Sequence, residues 1–120
     1  MAVLLDHMTV YTTDKLASAE FYARVFGAEQ QELRRAFAPV KVGDGLTLNL
    51  EEAEGFTRGH YAFLVTASEF DAIRQRLDAD GVSYGSRSRE HDSQVYTNSA
   101  RRGFYFDDPS GHGLEVMTSV

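Results

Sequence analysis

The sequence repeats one order of strand-like and helix-like segments, and this repetition is the strongest constraint on its fold. In the first half, a strand-like run at residues 3–11 precedes a predicted helix over residues 15–26. In the second half, a strand at residues 61–65 precedes a helix that begins near Thr66. The two halves are offset by about 53 residues, measured from His7 to His60. Internal repetition at such a period indicates two copies of one supersecondary unit.

The ends of both helices are predicted from capping residues. Asp14 is the expected N-cap of the first helix, and Gly27 is expected to end it. In the second helix, Ser68 and Asp71 have near capping-box spacing, and Gly81 is the expected terminator. The apolar positions that helical spacing predicts to be buried are Leu16, Ala19, Tyr22 (or Ala23) and Phe26 in the first helix, and Phe70, Ile73 and Leu77 in the second.

Short strands are predicted over the remainder of each half. They cover residues 29–34, 37–42 and 46–50, then residues 82–84, 94–97 and 103–106, with a closing strand around Glu115. Each half therefore reads β-α-β-β-β. We predict an α+β fold of two βαβββ modules, at about residues 1–54 and 57–120, in a single domain spanning residues 1–120.

The composition indicates which binding partners and cellular locations to expect. A net charge of −6 argues against nucleic acid or an anionic membrane as the binding partner. No apolar run is long enough to span a bilayer, and the N-terminus lacks a signal-peptide pattern. The chain has no cysteine, which excludes disulfides and thiolate ligands. We expect a cytoplasmic protein.

The C-terminal stretch carries the most specific chemical signal. Residues 104–106 are aromatic and strand-prone, and the turn Asp108-Pro109-Ser110-Gly111 leads into a closing strand. Glu115 lies in that strand between the apolar residues Leu114 and Val116. A carboxylate at such a position is costly to bury unless a cationic group meets it, and a metal ion is one such partner.

This combination resembles the motif that closes the second module of the vicinal oxygen chelate superfamily. The superfamily includes glyoxalases, extradiol dioxygenases, fosfomycin-resistance enzymes and bleomycin-binding proteins. The resemblance extends over essentially the whole chain, because paired βαβββ modules are the architecture of that superfamily. It implies a small-molecule substrate and one divalent metal ion per site.

The resemblance implies that His7, His60 and Glu115 are the metal ligands. Asn49 stands where glyoxalase-type enzymes carry a fourth, carboxylate ligand, and whether its amide coordinates is left open. Two imidazoles and one carboxylate form a facial triad, which favours Fe²⁺ or Mn²⁺, with Zn²⁺, Ni²⁺ and Co²⁺ as alternatives.

The same resemblance assigns a catalytic role to Tyr105, whose phenol could donate to an oxyanion or act as a general acid. Its alternative role is that of a core aromatic. Thr9 shares a strand face with His7 and is expected to bind substrate. Asn98 lies in the region where extradiol enzymes carry an acid–base histidine, and it is also expected to bind substrate.

Two arginines and two histidines complete the set of candidates. Arg102, together with Arg101, is predicted to hold an anionic group of the substrate. His91 and His112 lie in a loop and a turn, and both are predicted to be solvated.

These observations predict a divalent-metal-dependent enzyme of the glyoxalase or dioxygenase type. The alternatives are a fosfomycin-type thiol transferase and a non-enzymatic, bleomycin-resistance-like drug-binding protein. The resemblance also implies a homodimer, in which His7 of one chain faces His60 and Glu115 of the other.

Overall fold

The structure, a computed structural model, describes residues 2–119. The elements of these residues follow the order β1 (His7–Thr12), α1 (Lys15–Phe26), β2 (Glu29–Gln30), β3 (Phe37–Val42), β4 (Leu46–Glu52), β5 (His60–Val65), α2 (Ala67–Asp80), β6 (Tyr96–Asn98), β7 (Arg101–Asp107) and β8 (Gly113–Thr118). The chain divides into two compact units, with the boundary between Thr57 and Arg58.

Each unit contains one four-stranded sheet with the same topology. The strand order is β1-β4-β3-β2 in the first unit and β5-β8-β7-β6 in the second. In each sheet, the first and last strands of the unit pair in parallel, and the other neighbours are antiparallel. The predicted α+β class and the repeated βαβββ order are therefore confirmed. No helix among residues 2–119 has the length and apolar character needed to cross a membrane.

Helix α1 has the predicted ends but a different buried face. Asp14 accepts a hydrogen bond from the Ala17 N–H at 3.1 Å, and Gly27 ends the helix with a left-handed φ of 62°. Leu16, predicted to be buried, is 56% exposed. The face is rotated because the Ser18 hydroxyl is hydrogen-bonded to a buried threonine hydroxyl of β1, which turns Ser18 inward. The buried positions are Ser18, Ala19, Tyr22 and Val25.

The first unit has its core between α1 and one face of its sheet. Six side chains of that face are buried: Val10, Thr12, Ala38, Val40, Leu48 and Leu50. Because side chains alternate along a strand, His7 and Thr9 of β1 and Asn49 of β4 lie on the opposite face. This alternation keeps the polar candidates out of the core.

Helix α2 buries the three predicted residues but begins at a different cap. The Thr66 side chain, and not that of Ser68, accepts from the Glu69 N–H at 3.2 Å. Thr66 and Glu69 thus have the capping-box spacing that was predicted two residues later, at Ser68 and Asp71. Gly81 ends the helix with a φ of 70°, as predicted. Phe70 packs edge-on against Phe104 of β7, with ring centroids 5.0 Å apart.

One predicted strand is shorter than the sequence pattern indicated, and another is absent. The strand expected over residues 29–34 ends at Gln30. Gln31 still donates to the Pro39 carbonyl at 3.0 Å, but proline has no N–H to return the bond, so the ladder stops there. The strand expected over residues 82–84 is absent, and Gly85 makes only an isolated bridge to Tyr105.

The position of the α2 cap is testable by two single substitutions. Thr66→Ala should lower the free energy of unfolding by about 1 kcal/mol, because it removes the acceptor of the Glu69 N–H. Ser68→Ala is the matched control and should change it by less than about 0.5 kcal/mol. Urea denaturation followed by circular dichroism would measure both. A larger loss in Ser68→Ala would contradict the assigned cap.

Candidate active site

The closing strand places Glu115 beside His60 of β5. β5 and β8 run parallel, with His60 opposite Gly113 and Ala62 opposite Glu115. Leu114 and Val116 are fully buried on the α2 side of β8, so alternation turns Glu115 to the other face. The His60 Nε2 lies 3.1 Å from the Glu115 Oε1. Two predicted metal ligands therefore converge within the second unit.

The Glu115 carboxylate is largely withdrawn from water but is fully partnered. Its side chain is 11% exposed, whereas that of His60 is 52% exposed. The Tyr96 hydroxyl donates to the Glu115 Oε2 at 2.6 Å, while Oε1 meets the His60 imidazole. These contacts offset the free-energy cost of burying a carboxylate.

Gly103 allows Tyr96 to reach this carboxylate. The two residues are opposite each other in the antiparallel pair of β6 and β7. A Cβ atom at position 103 would lie 2.1 Å from the Tyr96 Cζ, so any other residue would displace the ring. Tyr96 was not among the predicted site residues, whereas Asn98, two residues further along β6, was. The sequence signal for Tyr96 is Gly103 at the position paired with it, but this pairing is known only once the strand register is known.

Tyr105 stands on the same face, directly opposite Glu115 in the register of β7 and β8. Its ring centroid is 6.0 Å from that of His60 and 5.7 Å from that of Tyr96. Burial, followed by the charge of Glu115, raises the pKa of Tyr105. Burial and the hydrogen bond to Glu115 raise the pKa of Tyr96 further. Both phenols therefore stay protonated at neutral pH and can donate hydrogen bonds.

A shallow pocket of about 280 Å³ opens over this face of the second sheet. It brings the predicted Tyr105, Asn98 and Glu115 together with residues that were not predicted, among them Tyr96. The lining residues are Ser86, Tyr96, Asn98, Arg101, Tyr105, Glu115 and Met117.

Arg102, predicted to bind substrate, lies on the opposite face of β7. Its guanidinium carbon is 4.5 Å from the centroid of the Phe70 ring, and its Nη1 is 3.8 Å from the Asp71 Oδ1 of α2. The alternation of side chains explains the difference, because Arg101 and Tyr105 share one face while Arg102 points to the helix. The structure therefore places Arg101, and not Arg102, in the pocket.

The two histidines expected to be solvated are not. His112 is 1% exposed, and its Nδ1 accepts from the Gly59 N–H at 2.9 Å. The backbone N–H of His112 donates to the Asp108 Oδ1 at 2.9 Å. Its ring also lies 5.4 Å from that of Tyr61. The His91 Nε2 is buried and has no hydrogen-bond partner among the described residues. The prediction for His112 was wrong because Gly59 and Tyr61, which are distant in sequence, contact its ring. His91 is half-buried and not fully solvated.

In the first unit, His7 lies at a separate and larger pocket of about 480 Å³. The His7 side chain is exposed, and its Nδ1 is 2.8 Å from the Asp6 Oδ2. A carboxylate on Nδ1 fixes the orientation of the ring and leaves Nε2 for a ligand. Thr9 lies two residues after His7 in β1, on the same face, and is also exposed. The pocket is lined by Asp6, His7, Gln31, Arg34, Arg35, Phe37, Pro39, Thr47 and Asn49.

The donor pair of His60 and Glu115 suits a divalent metal ion, but it is incomplete. The His60 Nε2 and the Glu115 Oε1 lie 3.1 Å apart on the pocket face, and an imidazole nitrogen and a carboxylate oxygen are common ligands of divalent metals. No group of three His, Cys, Asp or Glu side chains in residues 2–119 converges to hold a metal ion. A third ligand must come from outside this pair.

Two βαβββ units, with a histidine and a buried glutamate on the face away from the helix, define the class of this protein. The chain belongs to the Glyoxalase/Bleomycin resistance protein/Dioxygenase superfamily, whose sequence model matches residues 4–116.

Three named proteins are similar to this chain over most of their length. Glutathione transferase FosA of Serratia marcescens is 28% identical over 119 residues, 93% of this chain and 78% of that protein. Metallothiol transferase FosB of Shouchella clausii (strain KSM-K16) is 32% identical over 125 residues, which is 97% of this chain and 80% of that protein. The solved structure of Oxidase ChaP-H2 has a TM-score of 0.90 at 37% identity, covering 100% of this chain and 96% of that one. All three are named as enzymes, with two different chemistries.

The electrostatic coupling of the phenols to Glu115 predicts a change in tyrosine titration. In the metal-free protein, Glu115→Gln should lower the pKa values of Tyr105 and Tyr96, because the amide no longer opposes formation of a tyrosinate. Both should remain above the ordinary value of about 10, since burial persists. NMR of tyrosines labelled at the ring carbon would resolve the individual titrations.

The control for this experiment is Glu90→Gln, which neutralises an exposed carboxylate in the same unit. It should leave both titrations unchanged. Unaltered pKa values in Glu115→Gln would contradict the coupling.

Proposed function

We propose that this protein is a divalent-metal-dependent enzyme that acts on a small oxygen-bearing substrate, with dioxygenase- or oxidase-type chemistry preferred over a glyoxalase-type reaction. The observation that carries the proposal is the approach of His60 Nε2 to Glu115 Oε1 at 3.1 Å on a pocket face. The similarity to an oxidase at 37% identity supports the choice of reaction type.

His7 of a second copy of the chain would complete the ligand set. The second unit supplies one imidazole and one carboxylate, which is one imidazole short of a two-histidine, one-carboxylate triad. His7 is exposed and already oriented by Asp6. We therefore propose a twofold homodimer with two equivalent sites, each built from His7 of one chain and His60 and Glu115 of the other.

Such a triad with open positions favours Fe²⁺ or Mn²⁺. A bound ion of this kind would supply Lewis-acid activation of a substrate oxygen. The chain itself supplies hydrogen-bond donors around that oxygen. Tyr105, kept neutral by its raised pKa, would donate to the oxygen as negative charge develops and act as the general acid.

The remaining polar groups orient the carboxylate and the substrate. Tyr96 holds Glu115 Oε2 and so leaves Oε1 directed toward His60. Asn98 lines the same pocket and could bind a polar group of the substrate through its amide. Thr9 is proposed to contact substrate from the face of β1 that carries His7.

Thiol transfer is the second candidate, and the similarity to the FosA and FosB proteins favours it. Thiol transfer ranks second because the relative that shares more of its sequence with this chain, at 37% identity against 32%, is named as an oxidase. Oxygen uptake with catechols or hydroquinones, compared with transfer of glutathione to fosfomycin, separates the two reactions. Ligand binding without turnover in either assay would favour the non-enzymatic, drug-binding alternative.

The metal site is tested by His60→Ala. Wild-type protein should bind about one equivalent of Mn²⁺ or Fe²⁺ per chain, and His60→Ala should bind at least tenfold more weakly, because one of three ligands is lost. His91→Ala is the matched control, since His91 is a histidine of the same unit outside the site. Calorimetry and elemental analysis would measure the stoichiometry. Undiminished binding by His60→Ala would overturn the assignment.

The shared site is tested by mixing two variants that each lack one of the proposed metal ligands. In a dimer of one His7→Ala chain and one Glu115→Ala chain, one site carries both lesions and the other is intact. Mixed dimers should therefore recover up to half of the tight metal binding, while each parent binds little. Differently tagged chains allow the mixed dimer to be purified. No recovery in verified mixed dimers, or a monomer that binds metal tightly, would contradict the shared site.

A further inference from the structure

We propose that Arg101 and Asn98 form an oxyanion-binding subsite in the pocket of the second unit, so that the substrate carries an acidic group such as a carboxylate or phosphonate. This inference rests on the proposed function only in treating that pocket as the place where substrate binds. It adds the substrate's chemical class, which neither the ligand residues nor the phenols specify.

The guanidinium of Arg101 lacks the partners that such a group normally has. Its Nε is buried and has no hydrogen-bond acceptor among residues 2–119. Its Nη1 donates to the Met117 Sδ at 3.3 Å, and a thioether is a weak acceptor. Buried donors without an acceptor are rare in folded proteins and call for an explanation.

Two other arginines of the second unit have the carboxylate partner that Arg101 lacks within the described part of the chain. Arg58 pairs with Asp107 at 3.1 Å, and Arg102 approaches Asp71 at 3.8 Å. Arg101 has no carboxylate within 4.0 Å among the described residues. Glu115 does not serve as its counterion, because that carboxylate is engaged by His60 and Tyr96.

The position of Arg101 directs this unpaired charge to the substrate pocket. It lies on the face of β7 that also carries Tyr105, and both residues line the 280 Å³ pocket with Asn98. Ser86 also lines the pocket, but its hydroxyl donates to Asp92 at 2.8 Å and is not a free donor. Among the described lining residues, the donors left for an acidic group are therefore the guanidinium and the Asn98 amide, in addition to the Tyr105 phenol assigned to the reacting oxygen.

The chemistry of these donors selects the ligand. A guanidinium presents parallel N–H groups that match the two oxygens of a carboxylate or phosphonate. The flexible Met117 side chain offers a weak contact that an oxyanion would readily replace. With the acidic group on Arg101, another oxygen of the same small molecule could lie near Tyr105 and Glu115.

Binding of benzoate, phenylphosphonate and uncharged benzamide to metal-free protein tests the subsite. Benzoate and phenylphosphonate should bind with a Kd on the order of a millimolar, and benzamide far more weakly. Arg101→Gln should weaken the binding of both anions about tenfold. Arg102→Gln, which neutralises the adjacent arginine on the opposite face, should leave it unchanged. Chemical-shift titration by NMR would report both the affinity and the location.

Three results would overturn the subsite: no anion binding at tens of millimolar, equal binding by Arg101→Gln, or an equal loss in Arg102→Gln. If Arg101→Gln fails to fold, Arg101→Lys provides the test. It keeps the charge but loses the paired donors, so anion affinity should fall several-fold; unchanged affinity would overturn the proposal. His60→Ala separates the two proposals, because it should lose metal binding and keep Arg101-dependent benzoate binding. If the wild-type protein bound benzoate but no metal, the proposed metal enzyme would be refuted and the proposed oxyanion subsite would stand.

Discussion

The carboxylate of Glu115 is the group on which the organisation of the second unit depends. It lies on the central strand β8 between two fully buried side chains, where an unpartnered charge would be strongly destabilising. The His60 imidazole and the Tyr96 hydroxyl each engage one of its oxygens. Tyr96 reaches it only because Gly103 has no side chain. One buried charge thus accounts for a histidine, a tyrosine and a glycine on three different strands.

The turn before β8 holds this arrangement in register. The Asp108 Oδ1 accepts from the backbone N–H groups of Ser110 and His112, each at 2.9 Å. Arg58 donates to the Gly111 carbonyl and pairs with Asp107, which ties the strand entering β5 to the same turn. These contacts fix where β7 ends and β8 begins. They thereby place Tyr105 opposite Glu115.

The two units share a topology but differ in the chemistry of their exposed faces. The first carries His7, oriented by Asp6, in a pocket with Asn49 and two arginines. The second carries a histidine–glutamate pair with two phenols and one unpaired guanidinium. Membership of the superfamily does not select between oxidation and thiol transfer, because function resides in such side chains and not in the fold. The donors around the substrate decide which molecule is bound.

Features that depend on local order along the chain could be predicted from the sequence. These are the repeated βαβββ pattern, the ends of α1, the buried stripe of α2 and the placement of Glu115 within an apolar strand. Local spacing carries this information because capping and helical periodicity involve residues only a few positions apart. Three features became known from the three-dimensional packing: Tyr96 binds Glu115, Arg101 and not Arg102 enters the pocket, and His112 is buried. Each of these depends on strand register and on contacts between residues far apart in the chain, and a shift of one residue would reverse every face.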